Sequence, residues 1–420
     1  MKMKQAVRRI LPDAAALKLK KAIGMRNSQK MLERKKQVQP YRQGYYQQGI
    51  NLIGDVQAET GLGQSMRILA GMIEKSEIPF EIKQTNLHGN LEHNDNAWAH
   101  KLVENVKYDV NIIHWIPETW AADYNEADNS LFDYRYNIAY WLWELEDFPD
   151  RWLPGIQTVD EIWTPSEFIS NSIRKKTDKP VITIPYAIEV KKEGYLDRKY
   201  FSLPEDKLLF LTMYDFISIS ERKNPEAVID AYMKAFPVGD FHVENDTVGI
   251  VIKVNHAEEK KLVELKDKLK NYKNVYFITK NLTRLEVDSL LNMCDILVSL
   301  HRSEGFGLPL AEAMALGKPV IATNWSASIE FMNEENACLV DYKLIKLKKT
   351  IGPYEKGNYW ADADTSHAAY YMKKLWEDKE YRELIGKDAE NHVKEHLTYT
   401  CSADRMKNRL KEIYEANSIC

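Results

Sequence analysis

Short apolar runs alternate with helical patterns along almost the whole chain, and this alternation limits the fold more than any other feature. In the first half, Ile50-Asn51-Leu52-Ile53-Gly54-Asp55-Val56 reads as a strand. The turn Thr60-Gly61-Leu62-Gly63 follows, and Gln64 to Glu74 reads as a helix, with Ile68, Leu69, Met72 and Ile73 at helical spacing. Further strand candidates are Phe80–Lys83, Asp109–His114, Asn137–Trp143, Asp160–Thr164 and Pro180–Ile184. The second half repeats the pattern with Leu208–Met213, Thr247–Val254, Asn274–Ile278, Asp295–Leu300 and Pro319–Thr323. There Asn224 is placed to cap a helix that has Pro225 at its first position, and Thr283-Arg284-Leu285-Glu286 spells a capping box. Strands alternating with helices imply parallel sheets wrapped by helices. Two such α/β halves facing each other enclose a cleft at the carboxyl ends of their strands. A length of 420 residues suffices for two full cores.

The stretch Glu304-Gly305-Phe306-Gly307-Leu308-Pro309-Leu310-Ala311-Glu312 carries the chemistry. It joins the strand candidate before it to a helix that Pro309 opens and Gly317 ends. The backbone N–H groups of Gly305, Phe306, Gly307 and Leu308 are thereby offered at a helix N-terminus, which attracts anions and phosphate above all. Phosphate alone gives no reason for flanking carboxylates. Carboxylates do accept from paired hydroxyls, and Glu304 and Glu312 reach different places. A ligand with phosphates in the middle and a hydroxylated ring at each end satisfies both features, which describes a nucleotide sugar.

This stretch resembles the Glu-x7-Glu motif of the retaining family 4 glycosyltransferases. The likeness continues through Gly317-Lys318-Pro319-Val320-Ile321-Ala322-Thr323. The resemblance implies a GT-B fold: two Rossmann-like parallel-sheet domains facing a central cleft. It also implies that Glu304 contacts the hydroxyls of the donor sugar, that Glu312 binds the nucleotide ribose, and that Gly305 to Leu308 bind sugar and phosphate. His114 ends a strand; it is either a satisfied core histidine or, as the resemblance implies, a residue touching the donor sugar. Arg222-Lys223 precede the Asn224 cap, where two cations oppose a helix dipole unless an anion lies between them. They match the family's basic pair for the donor diphosphate. The family's Gly-Arg at the end of the preceding strand is replaced here by Tyr214-Asp215, so one expected cation is missing. Lys253 either compensates for it or is only a strand-end lysine. Gly61 and Gly63 lie in the first strand-to-helix turn, which is either a plain tight turn or, as the resemblance implies, a glycine loop lining the cleft near the donor and the acceptor.

Two further motifs invite a functional reading. In Tyr140-Trp141-Leu142-Trp143-Glu144, aromatic faces suit a sugar acceptor and Glu144 an acceptor hydroxyl, but core and hinge roles fit equally. Asp362-Ala363-Asp364 spells an Asp-x-Asp metal motif but reads better as the cap of the helix from Ser366. No metal and no cofactor is expected, since cations and a helix N-terminus serve a diphosphate without one.

Charge is unevenly distributed. Residues 1–42 carry thirteen lysines and arginines against Asp13 and Glu33, a net of +11, which leaves −15 on the remainder of a chain whose total is −4. The part around Ala14 to Ile23 reads as a basic amphipathic helix, for an anionic membrane surface or as a solvated tail; the acidic body argues against nucleic acid. No apolar run approaches the ~20 residues of a spanning helix and no secretory signal pattern opens the chain. Cys294, Cys338, Cys401 and Cys420 have no metal or disulfide spacing. A cytoplasmic protein, peripheral on the inner face of the membrane if the basic segment binds there, is the expectation. The boundaries drawn are a basic segment at 1–45, an acceptor-side domain at 46–195, a nucleotide-sugar domain at 196–395, and a helix at 396–420 crossing back to the first domain. The implied function is retaining transfer of a hexosyl group from a nucleotide-diphosphate sugar to a glycan or lipid-linked acceptor in cell-surface polysaccharide synthesis. A GT-B sugar-nucleotide epimerase and a non-catalytic nucleotide-sugar-binding partner of a membrane assembly are the alternatives.

Overall fold

The computed structural model describes residues 13–85, 93–190, 194–216, 219–238, 246–256 and 258–418. Six parallel strands form the first sheet: β1 (Gln47–Gly54), β2 (Phe80–Gln84), β3 (Tyr108–Ile113), β4 (Tyr136–Tyr140), β5 (Glu161–Thr164) and β6 (Val181–Thr183), in the order β2-β1-β3-β4-β5-β6. Six more form the second: β7 (Leu208–Asp215), β8 (Val248–Asn255), β9 (Val275–Ile278), β10 (Ile296–Ser299), β11 (Val320–Thr323) and β12 (Cys338–Val340), in the order β12-β11-β10-β7-β8-β9. The chain reverses its direction of travel between β1 and β3, and again between β7 and β10. At such switch points neighbouring strands send their following segments to opposite faces, leaving a crevice at their carboxyl ends. The two crevices face each other.

Two sequence expectations need correction. The run through Trp143 is not all strand: β4 ends at Tyr140. Beyond it, Trp141 and Trp143 are buried in an aromatic cluster while Leu142 and Glu144 turn to the cleft, so the alternation continues without sheet pairing. Asn224 sits at the helix start but does not cap it. It adopts φ 54°, ψ 49°, and its amide donates to the Leu300 carbonyl at 3.0 Å, tying the helix Pro225–Ala235 to the end of β10. The Thr283 capping box is present in both directions, with the Glu286 carboxylate accepting from Thr283 N at 2.9 Å. An antiparallel hairpin, β13 (Tyr342–Lys346) with β14 (Tyr359–Ala363), has no counterpart among the sequence expectations; its first strand is largely exposed and lacks an apolar face.

Both ends of the described chain are packed on the first domain. The helix Tyr399–Asn417 lies against the helix Gly61–Lys75, where Gly71 has no room for a side chain: a Cβ would stand 2.6 Å from the Tyr399 ring. Arg409 makes a two-pronged pair with the buried Glu161 (2.9 and 2.6 Å), and the Tyr414 hydroxyl donates to Asp109 at 2.9 Å. The basic segment is less tail-like than its charge suggests. The helix Asp13–Lys35 buries Met31, and Arg34 donates to the Tyr124 carbonyl at 2.8 Å and the Ala127 carbonyl at 2.5 Å. Leu19, Ile23 and Met25, nearer its start, are exposed. Residues 1–12 of that segment lie outside the described residues. Among the described residues no helix is long and apolar enough to cross a membrane.

Candidate active site

A cavity of about 330 Å³ opens between the two domains. Its second-domain wall is the helix Leu308–Ala315 and the loop before it. Gly307 (φ +99°) turns the loop into the helix and Pro309 occupies the second helical position. Gly305 to Leu308 all line the cavity, and the amides of a first helical turn have no partner within their helix. Gly305 is also a contact between domains. Its carbonyl accepts from Ser166 Oγ at 2.7 Å, and a Cβ there would meet the Trp143 carbonyl at 2.5 Å, so only glycine lets the loop approach the first domain this closely.

The two glutamates are 8% and 5% exposed, and each is met by a cation. Glu304 Oε1 lies 2.5 Å from Lys223 Nζ and 3.1 Å from Arg222 Nη1. Burial pushes the Glu304 carboxyl up, but Lys223 and Arg222 outweigh it and hold the group down at about 2. Burial likewise pushes the Lys223 ammonium down. Glu312 Oε1 pairs with Arg284 Nη1 at 2.8 Å; here burial wins and raises the carboxyl. Neither carboxylate is left as a bare charge in the low-dielectric cleft, which would be strongly unfavourable.

Arg222 and Lys223 end the one-turn helix Ser220–Lys223 rather than opening the longer one, so no dipole cost forces an anion between them. Their side chains diverge. Lys223 lines the cavity; Arg222 lies behind it, donating to the Ser303 carbonyl at 2.7 Å and facing Glu144 Oε1 at 3.8 Å. Lys253 also reaches the cavity. Burial lowers its ammonium to about 8, against Asp215 and Glu286, which pull it up. Tyr214 and Asp215, at the end of β7, line the same wall, and Asp215 meets His256 Nδ1 at 3.1 Å.

Of the residues singled out from sequence, Gly61, Lys223, Lys253, Glu304, Gly305, Phe306, Gly307, Leu308 and Glu312 line the cavity together. His114, Gly63 and Arg222 do not. His114 Nε2 shares a 2.6 Å hydrogen bond with Ser65 Oγ, and Ser65, which also meets the Tyr186 hydroxyl at 2.5 Å, is the residue that faces the cavity. Gly63 serves the turn: a Cβ would stand 1.9 Å from the Ala58 carbonyl. Asp362 pairs with Arg302 at 2.9 Å, and Asp364 caps the helix Thr365–Glu377 by accepting from Ser366 N and His367 N, so the Asp-x-Asp is engaged elsewhere. Sequence reasoning treats Arg284 only as part of a capping box; its place just after the strand β9 is the available signal. Arg67 escapes it as well. It lines the cavity, pairs with Asp95 at 3.2 Å and holds the Val56 and Ala58 carbonyls of the first turn at 2.9 and 3.0 Å.

Two parallel six-stranded sheets facing a cleft, with a C-terminal helix crossing back, define the GT-B fold. Residues 198–392 match the family model described as glycosyl transferases group 1. The O-antigen biosynthesis glycosyltransferase WclY of Escherichia coli is 28% identical over 147 residues, 35% of this chain and 36% of that protein. The serotype-specific mannosyltransferase WbdA of Escherichia coli is 29% identical over 137 residues, 33% of this chain and 16% of that protein. The matched parts thus span about a third or less of these relatives' own length. Among solved structures, HepE of Anabaena, in complex with UDP and glucose, aligns over 87% of this chain and all of its own at a TM-score of 0.60 and 14% identity. Sucrose-phosphate synthase of Thermosynechococcus elongatus aligns over 88% of this chain and all of its own, at 0.65 and 14%. These two likenesses carry the fold.

Proposed function

We propose that the chain is a retaining glycosyltransferase of family 4 type that moves a hexosyl group from a nucleotide-diphosphate sugar to a hydroxyl of a glycan or lipid-linked acceptor. The observation that carries this reading is the pairing of Glu304 with Lys223 and of Glu312 with Arg284 on either side of the Gly305–Leu308 turn, in one interdomain cavity. The donor diphosphate lies at the helix N-terminus beside Lys223 and Lys253, which take up the charge that develops as it leaves. Glu304 receives the sugar hydroxyls and Glu312 those of the ribose. The anomeric carbon passes through an oxocarbenium-like state. The acceptor hydroxyl attacks from the face the diphosphate leaves and gives its proton to the departing phosphate oxygen. His114 acts through Ser65, and Arg222 through Glu304. The lysines and the helix N-terminus supply the positive charge that a metal would otherwise bring. The O-antigen and mannosyltransferase relatives support polysaccharide synthesis as the setting and a mannosyl donor as one choice to test. The exposed Leu19 and Ile23, one turn apart among basic residues, suit an anionic membrane surface on the cytoplasmic side.

The test is thermal-shift binding against UDP, GDP and dTDP sugars, with Glu312→Ala alongside. A rise with one base class that the variant loses supports the reading; no rise with any donor counts against it. Lys253 makes a second expectation. Its ammonium loses charge above about 8, so nucleoside-diphosphate affinity measured by titration calorimetry should weaken up to about tenfold as the pH is raised from roughly 7 to roughly 9. Lys253→Arg, charged throughout, should flatten that profile. A flat profile in the parent chain removes Lys253 from the diphosphate site.

One observation favours a second reading. Asp215 puts a carboxylate on the cavity wall where the resembled family has a cation, which suits a donor-binding partner without turnover. Tight donor binding with no consumption in the presence of acceptor extract would mark it.

A further inference from the structure

The turn between β13 and β14 leaves the second domain and is built into the core of the first. Leu347, Tyr354 and Trp360 are buried in the same cluster as Trp143, Phe148 and Trp152. The Tyr354 ring lies 5.5 Å from that of Trp143 and 5.6 Å from that of Trp360. At the rim, Arg151 of the first domain donates to the Pro353 carbonyl at 2.7 Å and pairs with Glu355. The segment is a strap across the two domains.

Its tip reaches the site. The Tyr354 hydroxyl donates to Glu144 Oε2 at 3.2 Å, the other Glu144 oxygen faces Arg222 at 3.8 Å, and the Glu144 carbonyl accepts from Ser303 Oγ. Glu144 belongs to the first domain, yet these three partners all come from the second. Arg222 in turn holds Glu304 at 3.1 Å. Tyr354, Glu144, Arg222 and Glu304 therefore run in sequence from the strap to the cavity wall.

We propose that Tyr354 is a positioning residue, through which the strap seats Glu144 against Arg222, and so sets Glu304, when the two domains close. The linkage follows from the contacts; its consequence for turnover rests on the transferase reading. Phenylalanine in place of Tyr354 keeps the ring among its aromatic neighbours and removes only the hydroxyl, which donates to Glu144 and lies beside Arg222. Hydrogen exchange on the ligand-free full chain should then rise about tenfold in residues 142–148 and 219–224, the effect of losing one hydrogen bond to a charged group. Exchange in the helix Lys379–His396, which packs on the helix Leu308–Ala315 and the turn at Gly317, should stay as it was. In Tyr354→Phe/Glu144→Ala the exchange of 219–224 should rise by less than the product of the two single effects, because Tyr354 and Glu144 meet each other as well as Arg222. Unchanged exchange in Tyr354→Phe, a rise spread over the whole chain, or additive effects in the double variant would each overturn the proposal. If a donor is consumed, Tyr354→Phe should lower kcat at least about fivefold with nucleoside-diphosphate affinity unchanged. Failure of every donor would bear on the transferase reading and leave the exchange result to decide the strap.

Discussion

Lys223→Met is expected to lower kcat by about two to three orders of magnitude, the usual loss when one preorganised charge facing the reacting group is removed. Lys223 is the member of the basic pair that lines the cavity, and its ammonium is 2.5 Å from Glu304. Methionine keeps most of the apolar stem and deletes the charge. Glu304 retains Arg222 at 3.1 Å, so the buried carboxylate is not stranded and the unfolding temperature should move by only a few degrees. Steady-state consumption of the identified donor, read beside a thermal melt, separates the two effects. Turnover within a factor of about three of the parent would reject Lys223 as the cation meeting the leaving diphosphate.

Arg222→Ala should act on stability as well as on rate. The guanidinium is 4% exposed and serves Glu304, Glu144 and the Ser303 carbonyl together. Its removal takes one partner from each of two carboxylates, Glu304 keeping Lys223 and the half-buried Glu144 keeping Tyr354, so the cost should be about 1.5–3 kcal/mol, that of losing hydrogen bonds to charged groups. Turnover should fall by orders of magnitude, because Glu304 loses one of the two groups that place it. Arg222→Lys should recover little, since one ammonium cannot reproduce the planar fork. The pH dependence gives an independent check. The folded Glu304 carboxyl is held at about 2, below its ordinary 4.5. Between those values the unfolded chain binds the extra proton, so stability rises with pH there. This contribution is complete above about 4.5 and is lost as the pH falls toward 2. In Arg222→Ala the folded carboxyl moves back toward 4.5, so the acid-side loss should be smaller and end at higher pH, and urea midpoints measured across that window would show it. A variant as stable as the parent with the same acid profile would refute this account of the pair.

Much of the second domain is legible in the order of its amino acids alone. The run from Asp295 to Gly317 spells strand, glycine turn and helix in contiguous residues, and local backbone preferences decide such a segment. The capping box at Thr283 is legible for the same reason. Local patterns mislead where the outcome depends on distant partners. Asn224 has a capping residue's place, but the Leu300 carbonyl lies within reach of its amide and the cap is not made. His114 follows directly on β3, which ends one residue short of the expected strand end, yet the helix Gly61–Lys75 crosses in front of it and presents Ser65 to the cavity instead. Arg222 and Lys223 are neighbours in sequence, but one is buried behind the wall that the other lines. Tyr354 lies in a turn without periodicity and carries no signal of its own.

The sequence by itself determined where most strands and helices form, that two parallel sheets would result, and that Glu304 and Glu312 flank a glycine turn between a strand and a helix. Those features depend on residues within a few positions of one another. Only the tertiary structure decided the strand order, the Glu304–Lys223 and Glu312–Arg284 partnerships, and the strap that brings Tyr354 to Glu144. The reason is physical: a carboxylate shut in a cleft takes its partner from whatever cation the packing of the two sheets carries within about 3–4 Å, and spacing along the chain says nothing of that distance.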